Sequence, residues 1–253
     1  MEWCKILKKS FIFSIDIKRW LPFFGLNSLF LILGLLILTN FIGTKQLSSS
    51  FSSILDILVL GVIFVTVYPL LNLWINGAIV YQSYKERDKI GKSFRQSYNR
   101  YLSLLGATII VGIINVFVSI IPYIGFIFSI LISLIFFFIY QGVIVKGLGF
   151  DETLVHSYKL FRKNWATIVG IYIVLALIVI LILGVFSIPL ISLLVSLFFS
   201  LKTYSLISIM SLIYSNLIYL VITGIITLIG FAISQVFYLK AQTEFYLRLK
   251  RKS

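Results

Sequence analysis

The chain contains few of the side chains that build metal, redox or nucleophilic sites. Among its 253 residues there is one cysteine, Cys4, and one histidine, His156. A single cysteine excludes an internal disulfide, and the lack of paired histidine or cysteine ligands argues against a zinc or haem centre. The sequence has no glycine-rich phosphate loop followed by Lys and Ser or Thr, and no nucleophile-elbow motif. We therefore predict that the protein is not an enzyme and that it has no metal and no other cofactor.

Acidic residues are scarce as well, at 8 Asp and Glu against 22 Lys and Arg, which gives a formal net charge of +14. In the long apolar stretches the ionisable residues are Asp56, near one end of the second stretch, and Lys146, beside the end of the fourth. An ionisable residue in the middle of a membrane span is typical of proton relays and voltage sensors. The lack of one argues against a proton-driven or voltage-sensing mechanism.

Long apolar stretches dominate what is present. The chain is 60% hydrophobic with a mean hydropathy of +1.08, whereas soluble domains are about 45–50% apolar. A helix needs about 20 apolar residues to cross a membrane. The stretches of sufficient length are 20–42, 54–82, 101–121, 124–145, 165–187 and 207–239. They lack the alternation of a membrane β-barrel. We predict an all-α integral membrane protein, a six-transmembrane-helix bundle forming a single membrane domain over residues 1–253.

The basic residues predict how these spans are threaded. Of the 22 Lys and Arg, 20 fall in four segments, 1–19, 85–100, 146–163 and 240–252. Cytoplasmic loops keep Lys and Arg because moving them across the membrane is unfavourable. We therefore predict a multi-pass protein of the cell membrane with cytoplasmic N- and C-termini. The same charge attracts anionic lipids of the cytoplasmic leaflet, at about 1 kcal/mol per basic residue near the surface. Because the basic residues flank spans, we expect no nucleic acid partner.

The outer connections are predicted at 43–53, at a tight turn Pro122–Tyr123 and at 188–206. Within the last, residues 190–201 are apolar and follow Pro189. A helix of that length covers only about 18 Å, which is too short to cross. We expect a break at Pro189 followed by a short helix that is either re-entrant or interfacial.

Two basic segments match at an offset of 64 residues. Each predicts an amphipathic interfacial helix, with an apolar stripe opposite a basic face, that runs into a span through an aromatic residue. The paired stripe positions are Ile90 and Leu154, Phe94 and Tyr158, Ser97 and Phe161, and Tyr101 and Trp165. We predict three helix-hairpin repeats, at 1–84, 85–149 and 150–253. The alternative is that any cytoplasmic loop entering a membrane carries basic and aromatic residues.

Two groups of residues are candidate sites. The basic faces of the interfacial helices are the candidate anionic-lipid-binding residues: Lys92, Arg95, Arg100, Lys159, Arg162 and Lys163. The candidate pocket consists of one proline and four amides in or near the spans: Pro69, Asn72, Asn76, Asn115 and Asn216. A proline frees a carbonyl within a span, and nearby amides either satisfy it or leave it for a ligand. The alternative is that the amides form hydrogen bonds between helices, worth about 0.6 kcal/mol on average.

A family resemblance lies in two segments that each lead into a span, from Ser157 to Trp165 and from Ser93 to Tyr101. They resemble a broad group of uncharacterised six-span bacterial and archaeal membrane proteins, which is similar to the membrane domain fused to some glycerophosphodiester phosphodiesterases. The resemblance implies a six-span architecture and a lipid-related setting, and it assigns no catalytic residues. We expect the phosphodiesterase activity not to carry over, because the chain has no room for that barrel domain.

Two functions fit these observations. The first is a non-enzymatic membrane module that gathers lipids or partner proteins through its basic faces. The alternative is a permease or transporter component for a small neutral or amphipathic molecule, whose surface helices dock a cytoplasmic protein partner. A central hydrated cavity favours transport, and a bundle packed solid through its midplane, with the amides paired to each other, argues against it. The sequence does not predict the ligand or the oligomeric state.

Overall fold

The structure, a computed structural model, describes residues 2–44, 51–121, 124–200 and 215–252 of the chain. Over these ranges the secondary structure is helical and contains no strand, which confirms the all-α prediction. The helices, numbered in chain order, are α1 (Glu2–Ile15), α2 (Ile17–Thr44), α3 (Phe51–Tyr84), α4 (Ile90–Asn99), α5 (Tyr101–Ser119), α6 (Gly125–Ile135), α7 (Ile139–Lys146), α8 (Phe150–Ser200) and α9 (Leu217–Lys252).

Among the described residues, five helical stretches are long and apolar enough to cross a membrane. They are Phe64–Tyr84, Tyr101–Ser119, Gly125–Lys146, Phe150–Phe199 and Leu217–Lys250. These stretches indicate a multi-pass membrane protein, and they overlap the second to sixth predicted spans. The first predicted span, 20–42, lies in α2 but is not one of the five. The predicted turn at Pro122–Tyr123 lies outside the described residues.

The predicted break at Pro189 is wrong, because α8 continues through this proline to Ser200. A proline removes one backbone donor, and helices in membranes tolerate the loss where local adjustments satisfy the freed carbonyl. No glycine or polar loop residue follows Pro189 at once to end the helix there. From residue 165 to residue 200, α8 is about 54 Å long at 1.5 Å per residue. The hydrocarbon layer is about 30 Å thick, so α8 must tilt strongly or extend beyond it.

Three short helices each lead into a long helix through one non-helical residue. Asp16 separates α1 from α2, and Arg100 (φ −108°, ψ 7°) separates α4 from α5. Asn164 (φ −131°, ψ 29°) kinks α8 between its first fourteen residues and its apolar part. At Asp16 the carboxylate Oδ1 accepts a hydrogen bond from the backbone N–H of Lys18 at 3.2 Å, which caps the start of α2.

The fourth predicted span is interrupted, which the sequence did not predict. Between α6 and α7 the backbone leaves the helical conformation at Phe136 (φ −100°, ψ 22°) and Phe138 (φ −106°, ψ 25°). The Ser157 hydroxyl of α8 donates to Ile135 O at 2.9 Å and accepts from Phe138 N–H at 3.4 Å. The Gln242 amide of α9 donates to Phe137 O. Non-helical backbone at membrane depth is tolerated where protein surrounds it in this way.

The bundle is packed around the second half of α9, which contacts α8, α1, α2 and α3. Most of α9 between Gly230 and Leu249 is buried, whereas Ile218 and Tyr219 at its start are 72% and 64% exposed. In α3 the residues from Leu73 to Ser83 are mostly buried, whereas Val65 is 72% exposed. One end of the bundle therefore holds the packed core, and apolar side chains face outward at the other.

All four basic segments meet at the packed end. Arg100 Nη1 donates to Gly147 O at 3.0 Å, which joins segments 85–100 and 146–163. His156 Nε2 lies 3.0 Å from Tyr246 Oη, which joins 146–163 to 240–252. Lys9 forms ion pairs with Glu86 and Glu244 at 2.8 and 2.7 Å. These contacts gather the segments at one end, which we call the basic end.

Helix α4 buries a face that includes Ser97 of the predicted stripe, whereas the first part of α8 buries a face beside its predicted stripe. The buried residues are Ser93 and Ser97 in α4, and Thr153, Ser157 and Leu160 in the first part of α8. On the predicted apolar stripe, Tyr158 and Trp165 are 48% and 61% exposed. Ser97 faces inward and its Oγ donates to Trp74 O at 2.7 Å. In α4 the stripe residue Phe94 packs edge-on against Trp74, so Tyr158 and Trp165 of α8 are the stripe aromatics that face outward.

Candidate functional site

A cavity of about 500 Å³ lies between α3, α5 and α7. We call it the amide cavity. Its lining residues are Thr66, Pro69, Leu70, Asn72, Leu73, Asn76, Leu105, Thr108, Ile109 and Tyr140. At its rim Thr66, Pro69, Leu70 and Ile109 are exposed on the apolar flank of the bundle. The cavity therefore opens sideways, toward the position that lipid occupies around a membrane protein.

Helical geometry brings the α3 residues of this cavity together. Pro69, Asn72 and Asn76 are spaced three and four residues apart, so they share one face of the helix. Pro69 has no backbone N–H, so it cannot donate to the carbonyl one turn earlier. Asn76 Nδ2 donates to Tyr140 Oη at 3.4 Å. Asn72 Oδ1 is buried and accepts no hydrogen bond from the described residues. One amide is thus tied to a neighbouring helix, and the other has an open acceptor.

The structure brings together three of the five predicted pocket residues. Asn115, on α5, and Asn216, just before α9, do not line the amide cavity. Tyr140 and Thr108 line it and were missed by sequence reasoning. The sequence offered no signal for Tyr140, because the α6–α7 interruption that places it depends on distant residues, Ser157 and Gln242.

A second cavity, of about 310 Å³, lies on the other side of the Asn76–Tyr140 pair. We call it the rear cavity. Its lining residues are Asn76, Tyr140, Val179, Leu183, Phe231, Ser234, Gln235, Tyr238 and Leu239, so α8 and α9 form most of its wall. Gln235 Oε1 is buried and has no partner among the described residues. The two cavities share Asn76 and Tyr140 as lining residues, and these side chains are hydrogen-bonded at 3.4 Å.

Amide hydrogen bonds hold α7 in place beside these cavities. Gln141 Nε2 donates to Gln242 Oε1 and to Thr243 Oγ1, each at 3.2 Å. All three side chains are buried. This network is the interhelical hydrogen bonding that the sequence offered as the alternative use of amides. It fixes the helix that carries Tyr140, whereas Asn72 and Gln235 keep buried oxygens open toward the cavities.

The predicted lipid-binding residues are divided between α4 with its C-cap and the first part of α8. Arg95, Lys159, Arg162 and Lys163 are exposed at the basic end. Lys92 is exposed and pairs with Asp88 at 3.1 Å, and this contact raises the pKa of the Lys92 ammonium. Arg100 is only partly exposed, because its guanidinium bonds Gly147 O. Arg100 thus has a structural contact that the prediction did not include.

The sequence did not predict the cluster of ion pairs at the basic end. Lys240 is fully buried and donates to Ser83 O at 2.8 Å, and it forms ion pairs with Glu86 and Glu244. Lys9 pairs with the same two carboxylates. Burial opposes ionisation of Glu86, yet hydrogen bonds from Lys240 and Lys9 outweigh it and lower the pKa of its carboxyl. The cluster ties α1, the α3–α4 connection and α9 together.

Over the described residues, no group of three or more His, Cys, Asp or Glu side chains is arranged to hold a metal ion. Comparison with protein-family models, with curated proteins and with solved structures found no match to this chain.

Proposed function

We propose that this chain is a non-enzymatic membrane module that binds a neutral, amphipathic, lipid-like molecule in the amide cavity. One observation carries the proposal. The cavity opens on the apolar flank of the bundle, and it holds a buried amide oxygen, Asn72 Oδ1, that has no partner among the described residues. A buried acceptor without a partner costs about 1–3 kcal/mol. A ligand that donates a hydrogen bond to it removes that cost.

The lining defines the chemistry of the ligand. No lining residue of the amide cavity is charged, so the part of the ligand inside it is neutral. The leucine, isoleucine and proline side chains suit an acyl chain, and the amides and Thr108 suit a hydroxyl-bearing head. The volume of about 500 Å³ falls within the roughly 300–1,000 Å³ of small-molecule sites. A diacylglycerol, with one free hydroxyl and two chains, is the simplest probe with these properties.

The test uses the full chain in nanodiscs that contain a photoactivatable diacylglycerol. We expect crosslinks on α3 and α5 and about a fivefold lower yield for Asn72→Leu, since the lost hydrogen bond contributes about 1 kcal/mol. Asn115→Leu is the matched control, because it makes the same change on a membrane helix outside the cavity. Equal yields from the two variants, or labelling scattered over all helices, would refute the proposal.

The second candidate is a permease for such a molecule. It is favoured by the rear cavity, because this cavity and the amide cavity share the hydrogen-bonded pair Asn76 and Tyr140, and a permease would join the two cavities by opening that contact. Proteoliposomes with fluorescent lipid and an impermeant quencher distinguish the two. Transport makes the inner-leaflet probe accessible, and Tyr140→Phe then accelerates the transfer. A binding module leaves the inner-leaflet probe protected in both proteins.

We also propose the finer topology: six spans, three repeats and a cytoplasmic basic end in the cell membrane. The non-helical residues Arg100 and Asn164 support the repeat, because they lie 64 residues apart, at the offset of the two matching segments. The exposed lysines and arginines of α4 and α8 then face the anionic lipids of the cytoplasmic leaflet, which attract them. A cytoplasmic protein partner would dock on the same faces.

A further inference from the structure

A third cavity, of about 560 Å³, lies where α1 turns into α2. We call it the basic cavity. One face of α1 supplies most of its wall, since Lys5, Lys8, Lys9, Ile12 and Phe13 recur at helical spacing. The remaining lining residues are Asp16, Arg19 and Glu86. None of them belongs to the amide cavity or to the basic faces of α4 and α8.

The acidic residues of this cavity already have partners, whereas some basic ones do not. Asp16 Oδ2 accepts from Arg19 Nε at 3.0 Å, and Glu86 pairs with Lys9 and Lys240. Lys5 and Lys8 are exposed and have no ion pair among the described residues. The open end of the cavity therefore carries two uncompensated ammonium groups.

Contacts fix the side-chain conformation of Arg19, and one of its N–H donors has no hydrogen-bond partner among the described residues. Its guanidinium carbon lies 3.4 Å from the centroid of the Phe13 ring, and Phe13 is buried. With Nε bonded to Asp16, the Nη1 atom is buried and has no hydrogen-bond partner among the described residues. A planar guanidinium presents its donors in a fork that matches phosphate oxygens. Arg19 is thus oriented in advance for an anion.

We propose that the basic cavity binds the phosphate of an anionic lipid headgroup, through Arg19, Lys5 and Lys8. The chemistry is that of phosphate, and the surroundings favour a lipid as its source. Ile12, Ile17 and Leu21 beside the cavity are 62%, 56% and 52% exposed, so acyl chains have an apolar surface there. Trp20 follows Arg19, and tryptophan is enriched at the headgroup level of membranes. This site does not depend on the function proposed for the amide cavity.

The experiment measures lipid binding to the detergent-solubilised full chain by native mass spectrometry. The probes are phosphatidic acid, phosphatidylcholine and inorganic phosphate, each in a separate arm. We expect phosphatidic acid to bind, and Lys5→Gln with Lys8→Gln to weaken its binding about thirtyfold, because each of the two basic groups contributes about 1 kcal/mol near the headgroup. The matched control, Lys89→Gln with Lys146→Gln, removes the same charge from exposed residues outside the basic cavity and outside the basic faces of α4 and α8, and it should leave the affinity unchanged.

Arg19→Lys is the second variant, because it keeps the charge and removes the guanidinium fork. This variant should lose most of the affinity for phosphatidic acid. If Arg19→Lys folds poorly, the double variant of Lys5 and Lys8 still tests the site, because both of these residues are exposed. Equal losses from the two double variants would show an effect of net charge alone and overturn the site. Binding of inorganic phosphate as tight as that of phosphatidic acid would overturn the lipid as its source. No binding of either probe above that of phosphatidylcholine would overturn the proposal altogether.

Discussion

Among single residues, Lys240 has the most demanding environment, since its whole side chain is inside the protein. A buried ammonium is stable only when carboxylates and carbonyls surround it. Glu86, Glu244 and Ser83 O supply that environment, and the Phe13 ring centroid lies 4.9 Å away. The residue therefore acts as a connector between helices, although its place in a basic segment predicted a headgroup-facing charge.

Replacing Lys240 with Met should destabilise the protein by about 3 kcal/mol, because two carboxylates lose their buried partner. Thermal or denaturant unfolding of the detergent-solubilised protein measures this. Lys163→Met is the control, since Lys163 is exposed and an exposed charge contributes little. If both variants unfold alike, the cluster does not stabilise the fold.

The same cluster predicts sensitivity to acid. The pKa of Glu86 is lower in the folded protein than its ordinary value of 4.5, since hydrogen bonds from Lys240 and Lys9 outweigh the effect of burial. A lowered pKa contributes stability that is complete above the unfolded value and is lost as the pH falls through the folded one. The melting temperature should therefore fall as the pH drops below 4.5. Glu86→Gln should flatten this decrease, and an unchanged wild-type profile in that variant would contradict the role of the cluster.

Among the helices, the α6–α7 interruption is the feature with the clearest consequence for the site. It precedes α7, whose Tyr140 lines both cavities. Ser157, which is 1% exposed, is the side chain that bonds the backbone on both sides of the interruption. The stability of this part of the bundle therefore depends on one hydroxyl from α8.

Ser157→Ala should destabilise the protein by about 1–3 kcal/mol, because it leaves a buried carbonyl and a buried N–H without this partner. Amide hydrogen exchange at residues 136–138 should accelerate in the same variant. Ser133→Ala is the matched control, since Ser133 is exposed and bonds only within its own helix, to Ser129 O at 2.9 Å. Exchange at 136–138 that is unchanged in Ser157→Ala would contradict this account.

These helices also show what the sequence can and cannot predict. Apolar length located the five stretches that are long enough to cross a membrane, because lipid leaves a chain few other conformations. Helical spacing predicted that Pro69, Asn72 and Asn76 share one face of α3. The sequence did not predict the α6–α7 interruption and the burial of Ser157, since both depend on hydrogen bonds between residues distant in the chain. Local hydropathy placed Tyr158 and Trp165 on an apolar stripe, and both are exposed, because an exposed aromatic surface carries no penalty in a membrane.

For the whole molecule, the contacts that gather the four basic segments at one end make the orientation testable. The single cysteine, Cys4, is exposed at that end. In intact cells, a membrane-impermeant maleimide should leave Cys4 unlabelled, and permeabilisation should expose it. The control is Ile120→Cys in a Cys4→Ser background, because Ile120 is 70% exposed at the far end of α5. Labelling of Cys4 in intact cells would reverse the proposed topology.

The length of α8 makes the bundle responsive to its bilayer. A helix that is longer than the thickness of the hydrocarbon layer tilts more in a thin membrane and less in a thick one. Because α8 and α9 line the rear cavity, we expect a change in the tilt of α8 to alter the width of that cavity. We expect the acyl-chain length of the lipids in reconstituted vesicles to change the accessibility of Gln235. Membrane thickness then regulates this protein although it occupies no binding site.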